Sequence, residues 1–260
     1  MPSQPMTGVE LPKQPRSVNI LGMRVDDVTY AEALDLLRWH ITSGRAGVVV
    51  TPNTEFAMRA RRDAEFRQLL NSASLAIPDG IGLVWASRLL GDPIREHLRG
   101  TDLVDQLASL AAAEGYRFFL LGAAVGVAAA AAAQLQRWHP GLQIVGTHSG
   151  SPHAAYDEEA TAVIRAAGHV DVLLVAYGAP AQEKWIARNQ APLGVPLAIG
   201  VGGVFDFFSG RASRAPLWIR RLELEWLYRL LRQPSRWRRQ LALPHFAVCL
   251  LGLWLRRRLH

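Results

Sequence analysis

The chain has 260 residues, half of them hydrophobic, and a formal net charge of +7 at pH 7. This length and composition allow a substantial buried core, which excludes a disordered protein and favours one large domain, alone or with an appendage. The single cysteine, Cys249, excludes an internal disulfide. Residues 1–16 contain four prolines and no apolar run after a basic start, so we expect a flexible tail without a signal peptide on a cytoplasmic protein.

Residues 17–210 alternate between short apolar runs and helical patterns, which predicts an α/β domain. The predicted strands span residues 18–21, 48–51, 75–77, 118–121, 142–145, 172–176 and 197–201. A helix with a capping box starts at Thr29, which Glu32 follows three residues later. Repeated β and α units of this kind form a mostly parallel, Rossmann-like sheet covered by helices. We place the end of this domain at Gly210.

Polar residues and glycines follow three of the predicted strands directly. They are Thr51 and Asn53, Asp79 with Gly80 and Gly82, and Gly178 with Gln182. Ligands of parallel sheets bind at the carboxyl ends of the strands, so chemistry is expected at these positions. Glycines at a helix start let the backbone N–H groups approach a ligand. Asp79 is placed to act as a general base there, or it only caps the helix that runs to about Leu90.

Two further loops are candidates for ligand binding. Gly122 and Gly126 are spaced as in many phosphate-binding turns, although the full dinucleotide motif is absent. Gly202 and Gly203 lead to Asp206, which either binds a ligand or caps the following turn. No Asp-x-Asp pair follows a predicted strand, so the usual metal clamp for a nucleotide diphosphate is missing from the sequence and we expect no metal site.

The positive charge is concentrated in residues 211–260. This segment holds twelve arginines and two acids, Glu223 and Glu225, and four tryptophans lie among the arginines. Residues 241–255 are nearly all apolar, yet the run is shorter than the ~20 residues needed to span a bilayer. Arginines flank the run on both sides, at Arg236, Arg238 and Arg239 and at residues 256–258. This pattern favours an anionic membrane surface over nucleic acid as the partner.

The alternative for this segment is an ordinary amphipathic helix packed on the domain. A helix starting near Pro216 would place on one stripe Trp218, Leu222, Trp226 and Leu230. Arg221, Glu225 and Arg229 would then form solvated ion pairs on a neighbouring face. Such pairs cannot neutralise a segment whose net charge is +10. We therefore predict a membrane-associating, basic helical appendage over residues 211–260.

Several short motifs occur in order along the chain. They are residues 51–53 (TPN), 77–82 (IPDGIG), 178–185 (GAPAQEKW), 200–206 (GVGGVFD), 214–218 (RAPLW) and 224–229 (LEWLYR). In this order they resemble the WecG/TagA/CpsF glycosyltransferases, glycosyltransferase family 26, from about Val18 to Arg239. The resemblance implies an inverting enzyme without metal or other cofactor, which moves a sugar from a UDP-sugar to a polyprenyl-diphosphate-linked saccharide. It also implies a peripheral protein at the cytoplasmic face of the membrane that serves cell-surface polysaccharide biosynthesis.

Residue roles implied by this resemblance fall at the strand ends and in the appendage. Asp79 matches the family's candidate base, and Thr51 and Asn53 match its substrate-contacting threonine and asparagine. Gln182 matches the glutamine of a G-x-P-x-Q-E motif, although Ala181 replaces the lysine that is common before it. The other expected substrate contacts are Gly80, Gly82, Gly122, Gly178, Gly202 and Asp206, with Arg214, Arg221 and Arg229 facing the lipid diphosphate.

Some alternatives stay open at this point. The donor sugar is N-acetylmannosamine, its uronic acid or glucose. A non-catalytic nucleotide-binding scaffold of a polysaccharide assembly complex would share the fold and the basic appendage. A nucleic-acid-binding module would stack bases on the four appendage tryptophans, but we expect no nucleic-acid partner. The sequence does not decide whether the chain forms a homo-oligomer.

Overall fold

The computed structural model describes residues 12–234, 237 and 241–258, with residues 257 and 258 described by their backbone alone. Residues 1–11 of the predicted tail and the arginines Arg236, Arg238 and Arg239 lie outside the described residues. Within them, the chain folds as an α/β structure in which helices cover both faces of a parallel sheet. The predicted fold class is confirmed.

An antiparallel hairpin precedes the main sheet. Its strands are β1 (Arg16–Ile20) and β2 (Met23–Asp27). The predicted strand at residues 18–21 is therefore confirmed as a strand, but it pairs with β2 and not with the parallel sheet. The sequence analysis missed β2 because two acids, Asp26 and Asp27, end its apolar pattern. Both acids are buried against arginines, Asp26 against Arg24 and Asp27 against Arg95.

Six parallel strands form the main sheet of the described chain. They are β3 (Gly47–Val50), β4 (Leu75–Ala76), β5 (Arg117–Gly122), β6 (Gln143–His148), β7 (Val172–Ala176) and β8 (Leu197–Gly200). Their order across the sheet is β4-β3-β8-β7-β5-β6. Each corresponds to a predicted strand. Their continuous apolar runs fit strands buried on both faces, with neighbours such as Phe118 and Phe119 entering opposite core clusters.

Helices cover this sheet on both faces. In chain order they are α1 (Tyr30–Ser43), α2 (Thr54–Ala60), α3 (Ala64–Ser72), α4 (Ile81–Leu89), α5 (Gly100–Glu114), α6 (Val127–Trp138), α7 (Asp157–Ala166), α8 (Ala181–Leu193) and α9 (Val204–Phe208). One face packs against α1, α5, α6 and α9, and the other against the remaining five and the hairpin. The predicted capping box of α1 is present, because Thr29 and Glu32 exchange hydrogen bonds.

The start of the appendage forms two short helices, and not the one continuous helix that the sequence analysis considered as an alternative. Its first helices are α10 (Leu217–Arg221) and α11 (Glu225–Arg232). Between them the chain turns at Glu223, whose φ is +59°. The alternative of a single helix from Pro216 through Leu230 is therefore wrong, and its stripe of apolar residues is divided at this turn.

The last helix of the appendage, α12 (Ala242–Arg258), packs on the core. Phe246 and Leu250 are 4% and 7% exposed and belong to the same apolar cluster as residues of α2 and α4. Pro244 lies in the first turn of α12, where its missing N–H costs no intrahelical hydrogen bond. Among the described residues, no helix has the length and apolar character required to cross a bilayer.

Candidate active site

A cavity of about 760 Å³ lies at the carboxyl ends of β3, β4, β7 and β8 and extends to the appendage. We call it the main cavity. The predicted site residues that line it are Thr51, Asn53, Asp79, Gly80, Gly82, Gly178, Gln182, Gly202 and Arg229. The loops after four neighbouring strands thus converge on one site, which is the expected location in a parallel α/β sheet.

Asp79 lies in the wall of the main cavity, shortly after β4. Its Oδ1 accepts a hydrogen bond of 2.6 Å from the backbone N–H of Gly100, at the start of α5. Loss of surrounding water raises the pKa of Asp79 to about 7, against the opposing effect of the Gly100 N–H and two nearby arginines. A carboxyl group with this pKa exchanges its proton near neutral pH, which suits a general base.

The alternative role of Asp79, as the cap of the following helix, is wrong. The N-cap of α4 is Gly80, and no side-chain hydrogen bond caps this helix. The carboxylate instead reaches the first residue of α5, Gly100, so that it joins the loop after β4 to another helix. A backbone donor therefore fixes the carboxylate in place while it borders the cavity.

Thr51 and Asn53 follow β3 and line the same cavity. The hydroxyl of Thr51 donates to the carbonyl of Gly200 across 3.2 Å, which ties the end of β3 to the end of β8. Asn53 caps α2, since its Oδ1 accepts the N–H of Phe56 at 3.1 Å. The hydroxyl oxygen of Thr51 and the amide nitrogen of Asn53 keep the capacity to bind a ligand.

Gly80 and Gly82 allow α4 to start in close contact with α2. A Cβ at Gly82 would lie 2.6 Å from Cγ2 of Thr54, and a Cβ at Gly80 would lie 3.1 Å from Cβ of Asn53. Close packing of α4 on α2 therefore accounts for both glycines, whereas the sequence analysis attributed them to the approach of a ligand. Both also line the cavity, so the first N–H groups of α4 still lie at the site.

Gln182 is buried and joins two loops of the main cavity. Its Oε1 accepts the N–H groups of Gly178 and Gly202, each at 3.0 Å. Its Nε2 donates to Oε1 of Glu183 at 2.8 Å. Gly200 is needed beside this pair, because a Cβ there would lie 2.7 Å from Nε2 of Gln182. Gln182 thus positions two loops, whatever contact it makes with a substrate.

Two arginines bring positive charge to the main cavity. Arg229 of α11 reaches the loop after β8, where a Cβ at Gly203 would lie 2.8 Å from its guanidinium. This guanidinium also lies over the ring of Phe207, 4.5 Å from the ring centroid. Arg99, the residue before α5, lines the cavity from the core. The sequence analysis missed Arg99 because it belongs to no recognised motif and follows no strand.

The two acids of the appendage face the core. Glu223 accepts hydrogen bonds from Arg99 at 2.7 Å and from Nδ1 of His97 at 2.9 Å. Glu225 lies 3.8 Å from Arg99 and 3.8 Å from Arg214. The sequence analysis placed Glu225 in solvated ion pairs and gave no role to Glu223 or His97, yet all three line the main cavity. These contacts hold the turn between α10 and α11 against the core.

Arg214 and Arg221 do not line the main cavity. Arg214 is partly buried and donates to Oδ1 of Asp102 at 2.6 Å. Arg221 is exposed at the end of α10. Of the three appendage arginines expected at the lipid diphosphate, Arg229 is the one that the structure brings to this cavity. Contact of the other two with the diphosphate stays a prediction.

A second, smaller cavity of about 350 Å³ lies beyond the ends of the neighbouring strands β5 and β7. Asp206 lines it, and Gly202 borders both cavities. Gly122 lines neither cavity. Its φ of +104° and the 2.8 Å that would separate a Cβ from the carbonyl carbon of Ala176 require a glycine there. The connections leave β5 and β7 in opposite directions, which makes this the switch point of the sheet.

Charged groups of both signs thus meet at the main cavity. The carboxylates are those of Glu55, Asp79, Glu223 and Glu225, and the cations are Arg99 and Arg229. Within the part of the chain that the structure describes, no group of three His, Cys, Asp or Glu side chains is arranged to hold a metal ion. The arrangement can take a proton at Asp79 and stabilise an anion at the arginines.

The motifs at these strand ends match a known family over nearly the whole chain. A family model described as the glycosyl transferase WecG/TagA/CpsF family matches residues 18–260. The chain belongs to this family. The match continues past Arg239, where the resemblance was expected to end, and so includes α12.

Curated members of the WecG/TagA/CpsF family align with most of the chain. It is 36% identical over 212 residues to the N-acetylglucosaminyldiphosphoundecaprenol N-acetyl-β-D-mannosaminyltransferase of Bacillus spizizenii, covering 82% of this chain and 81% of the relative. The Bacillus subtilis protein of the same name is 35% identical over 221 residues, which is 84% of each chain. The Staphylococcus aureus protein of that name is 30% identical over 233 residues, covering 88% of this chain and 90% of the relative.

Membership in the WecG/TagA/CpsF family confirms that the protein is a glycosyltransferase. The family and the enzyme class were therefore both predicted from the ordered motifs. The non-catalytic scaffold and the nucleic-acid-binding module are not supported, since the curated relatives are named as transferases.

Proposed function

We propose that the protein transfers N-acetylmannosamine, with inversion, from a UDP-sugar to an N-acetylglucosaminyl-diphosphoundecaprenol acceptor in cell-surface polysaccharide biosynthesis. The names of the relatives support this sugar and this acceptor, and they give no support to the uronic acid or to glucose. The observation that carries the proposal is Asp79, whose carboxyl group has a pKa of about 7 and borders the main cavity.

The chemistry is a single displacement at the anomeric carbon of the donor. A hydroxyl oxygen of the acceptor bonds to this carbon as the bond from the carbon to the UDP oxygen breaks. The carboxylate of Asp79 takes the hydroxyl proton, and UDP leaves with the bonding electron pair. Attack from the side opposite UDP inverts the centre. A positioned base contributes about 10² to 10⁴ in rate, so Asp79 is the residue on which turnover depends most directly.

The second cavity is the proposed site of the donor nucleotide. It lies at the switch point of the sheet, where nucleotides commonly bind, and the carboxylate of Asp206 can accept hydrogen bonds from hydroxyl groups. Gly202 joins this cavity to the main cavity, so the sugar and diphosphate fit between Asp206 and Asp79. The first N–H groups of α4 then stabilise the leaving diphosphate of UDP, and we expect catalysis to need no divalent ion.

The appendage is the proposed membrane-binding surface. Leu217 and Trp218 are each 63% exposed, and Leu231 is 72% exposed. Other exposed apolar side chains of this segment are Leu222, Trp226, Leu227, Trp237, Leu241, Val248, Leu251 and Leu255. Single exposed apolar residues are ordinary, but a group of this size among arginines is typical of a peripheral membrane surface. The enzyme would then act at the cytoplasmic face, on anionic lipid and beside its acceptor.

Acceptor-dependent release of UDP tests the proposed function. Purified protein is supplied with UDP-N-acetylmannosamine and a synthetic N-acetylglucosaminyl-diphosphate lipid, and the product is identified by mass spectrometry. We expect UDP release only with the acceptor, together with one added N-acetylmannosamine. Preference for UDP-glucose or for the uronic acid donor would correct the sugar. Failure of every donor to release UDP with the acceptor would contradict the transferase proposed here.

A further inference from the structure

One side of α4 carries apolar residues that the core covers only in part. Ile81, Trp85 and Leu89 are spaced four residues apart, so they lie on one side of the helix, and all three line the main cavity. The opposite side is buried in the core through Leu83 and Val84. Trp85 remains 55% exposed and Leu89 43% exposed. Core packing therefore does not account for these two large side chains.

The helix α12 forms an opposing apolar wall. Its cavity-lining residues are Leu243, Pro244, Phe246, Ala247 and Leu250, and their spacing places them on one side of the helix. Phe246 and Leu250 are buried in a cluster with residues of α2 and α4, which holds α12 in place. Between α4 and α12 the main cavity is thus a groove with apolar side chains on both walls. We call it the apolar groove.

The apolar groove leads away from the charged part of the main cavity. The helix α4 begins two residues after Asp79, and at 1.5 Å per residue Leu89 lies about 12 Å further along its axis than Ile81. Arg99 and Arg229 line the cavity at its polar part, with Asp79. The groove is open to solvent along α4, since Trp85 and Leu89 are about half exposed.

This combination selects a ligand with an anionic head and a hydrocarbon tail. An extended peptide would leave its backbone N–H and C=O groups without partners between two apolar walls, which is unfavourable. A hydrocarbon chain has no such groups and gains free energy from burial there. The guanidinium groups of Arg99 and Arg229 complement the charge of a diphosphate.

We infer that the apolar groove binds the first isoprene units of a polyprenyl diphosphate, with the chain between α4 and α12 and the diphosphate at Arg99 and Arg229. The inference rests on the proposed function, which supplies a lipid-linked acceptor. It adds that the protein contacts the lipid chain itself, and that Trp85 and Leu89 select acceptors by their hydrocarbon.

Binding of prenyl diphosphates tests the inference without catalysis. Calorimetry compares farnesyl diphosphate with inorganic diphosphate, which lacks the hydrocarbon. We expect farnesyl diphosphate to bind about tenfold or more tightly, and Trp85→Ala to lose most of this difference. Trp138→Ala is the matched control, because Trp138 on α6 is 51% exposed and lies outside the cavity. Equal affinity of the wild-type protein for both ligands would overturn the inference, whether or not sugar transfer occurs.

Kinetics with acceptors of different chain length provide a second test. The KM values of an undecaprenyl acceptor and of a short-chain acceptor are measured in detergent micelles with saturating donor. Trp85→Ala should raise the ratio of the first KM to the second about tenfold. Leu89→Ser should change this ratio in the same direction, which covers the case of a misfolded Trp85 variant. An equal rise in KM for both acceptors would overturn the inference. The inference would also be overturned if Trp85→Ala changed only vesicle binding or self-association of the chain and left the KM ratio unchanged. Absence of transfer to every acceptor would contradict the proposed function. The calorimetry would still show whether the apolar groove binds a prenyl chain.

Discussion

Glu183 fixes the orientation of the Gln182 side chain, because its Oε1 accepts the hydrogen bond that Nε2 of Gln182 donates across 2.8 Å. With Nε2 held there, Oε1 of Gln182 faces the N–H groups of Gly178 and Gly202. One amide group therefore sets the relative position of the loops after β7 and β8. Burial raises the pKa of Glu183 to about 7, so its carboxyl group changes protonation near neutral pH.

Variants of Glu183 should separate this positioning role from the carboxyl charge. In Glu183→Gln a side-chain oxygen can still accept from Gln182, so we expect kcat/KM to stay within a few-fold of wild type. In Glu183→Leu the buried donor loses its partner, which costs about 1–3 kcal/mol and should lower kcat/KM about tenfold or more. Kinetics and thermal unfolding of both variants check this. Unchanged kcat/KM in Glu183→Leu would show that the link is dispensable.

Asp79→Asn should lower turnover by about 10² or more, because an amide cannot take the acceptor proton. The asparagine oxygen can still accept the Gly100 N–H, so we expect the fold and UDP affinity to persist. Steady-state kinetics, UDP titration and thermal unfolding measure these three quantities. Turnover close to wild type would remove Asp79 from the role of base.

The pH profile should report the ionisation of Asp79. Its folded-state pKa of about 7 lies above the ordinary value of 3.8, so the native state binds the proton more tightly than the unfolded state does. The contribution of Asp79 to stability therefore falls as pH rises from about 4 to about 7, while kcat/KM rises as the base ionises near pH 7. Glu183→Gln is the control, since Glu183 ionises in the same range. If kcat/KM of Glu183→Gln did not rise near pH 7, the rise in the wild type would be assigned to Glu183.

Turnover should survive an excess of chelator. Arg99 and Arg229 line the main cavity, and together with the first N–H groups of α4 they supply the positive charge that a metal ion would otherwise bring to the diphosphates of donor and acceptor. We expect the rate in EDTA to equal the rate with added magnesium or manganese. Loss of activity in EDTA that either metal restores would show that the arginines do not suffice.

Arg229→Ala and Arg221→Ala form a matched pair within the appendage. Arg229 lines the main cavity and Arg221 does not. On a water-soluble acceptor we expect turnover to fall about 10² in Arg229→Ala and to stay near wild type in Arg221→Ala. Each change removes one positive charge, so vesicle binding should weaken by about 1 kcal/mol at most in both. Equal turnover of the two variants would leave Arg229 with an anchoring role alone.

The strand ends of the site could be predicted from the sequence, because the pattern there is local. A buried apolar run followed by Thr51 and Asn53, or by Asp79, indicates a parallel strand and its ligand-binding end. The six strands of the main sheet and the capping box at Thr29 were found in the same way. Each of these features is encoded within about ten residues of chain.

The contacts between the appendage and the core could not be predicted, because they join residues distant in sequence. Glu223 and Arg99 are 124 residues apart, and no motif pairs them. The break between α10 and α11 also lacks the glycine or proline that usually marks one, since it occurs at Leu222, Glu223 and Leu224. The hydrogen bonds of Glu223 with Arg99 and His97 favour the turn over the local helical pattern.

The two attachments of the appendage should respond to salt in opposite directions. The turn at Glu223 is held by ionic contacts with partly exposed groups, which dissolved ions screen. The attachment of α12 through Phe246 and Leu250 is apolar, and salts such as sulfate strengthen apolar contacts. In concentrated sulfate the turn at Glu223 would therefore detach from the core more readily, while α12 would stay bound to it. Ionic conditions would then govern how readily a saccharide enters beside Asp79, while the apolar contacts of a lipid chain with α12 would persist.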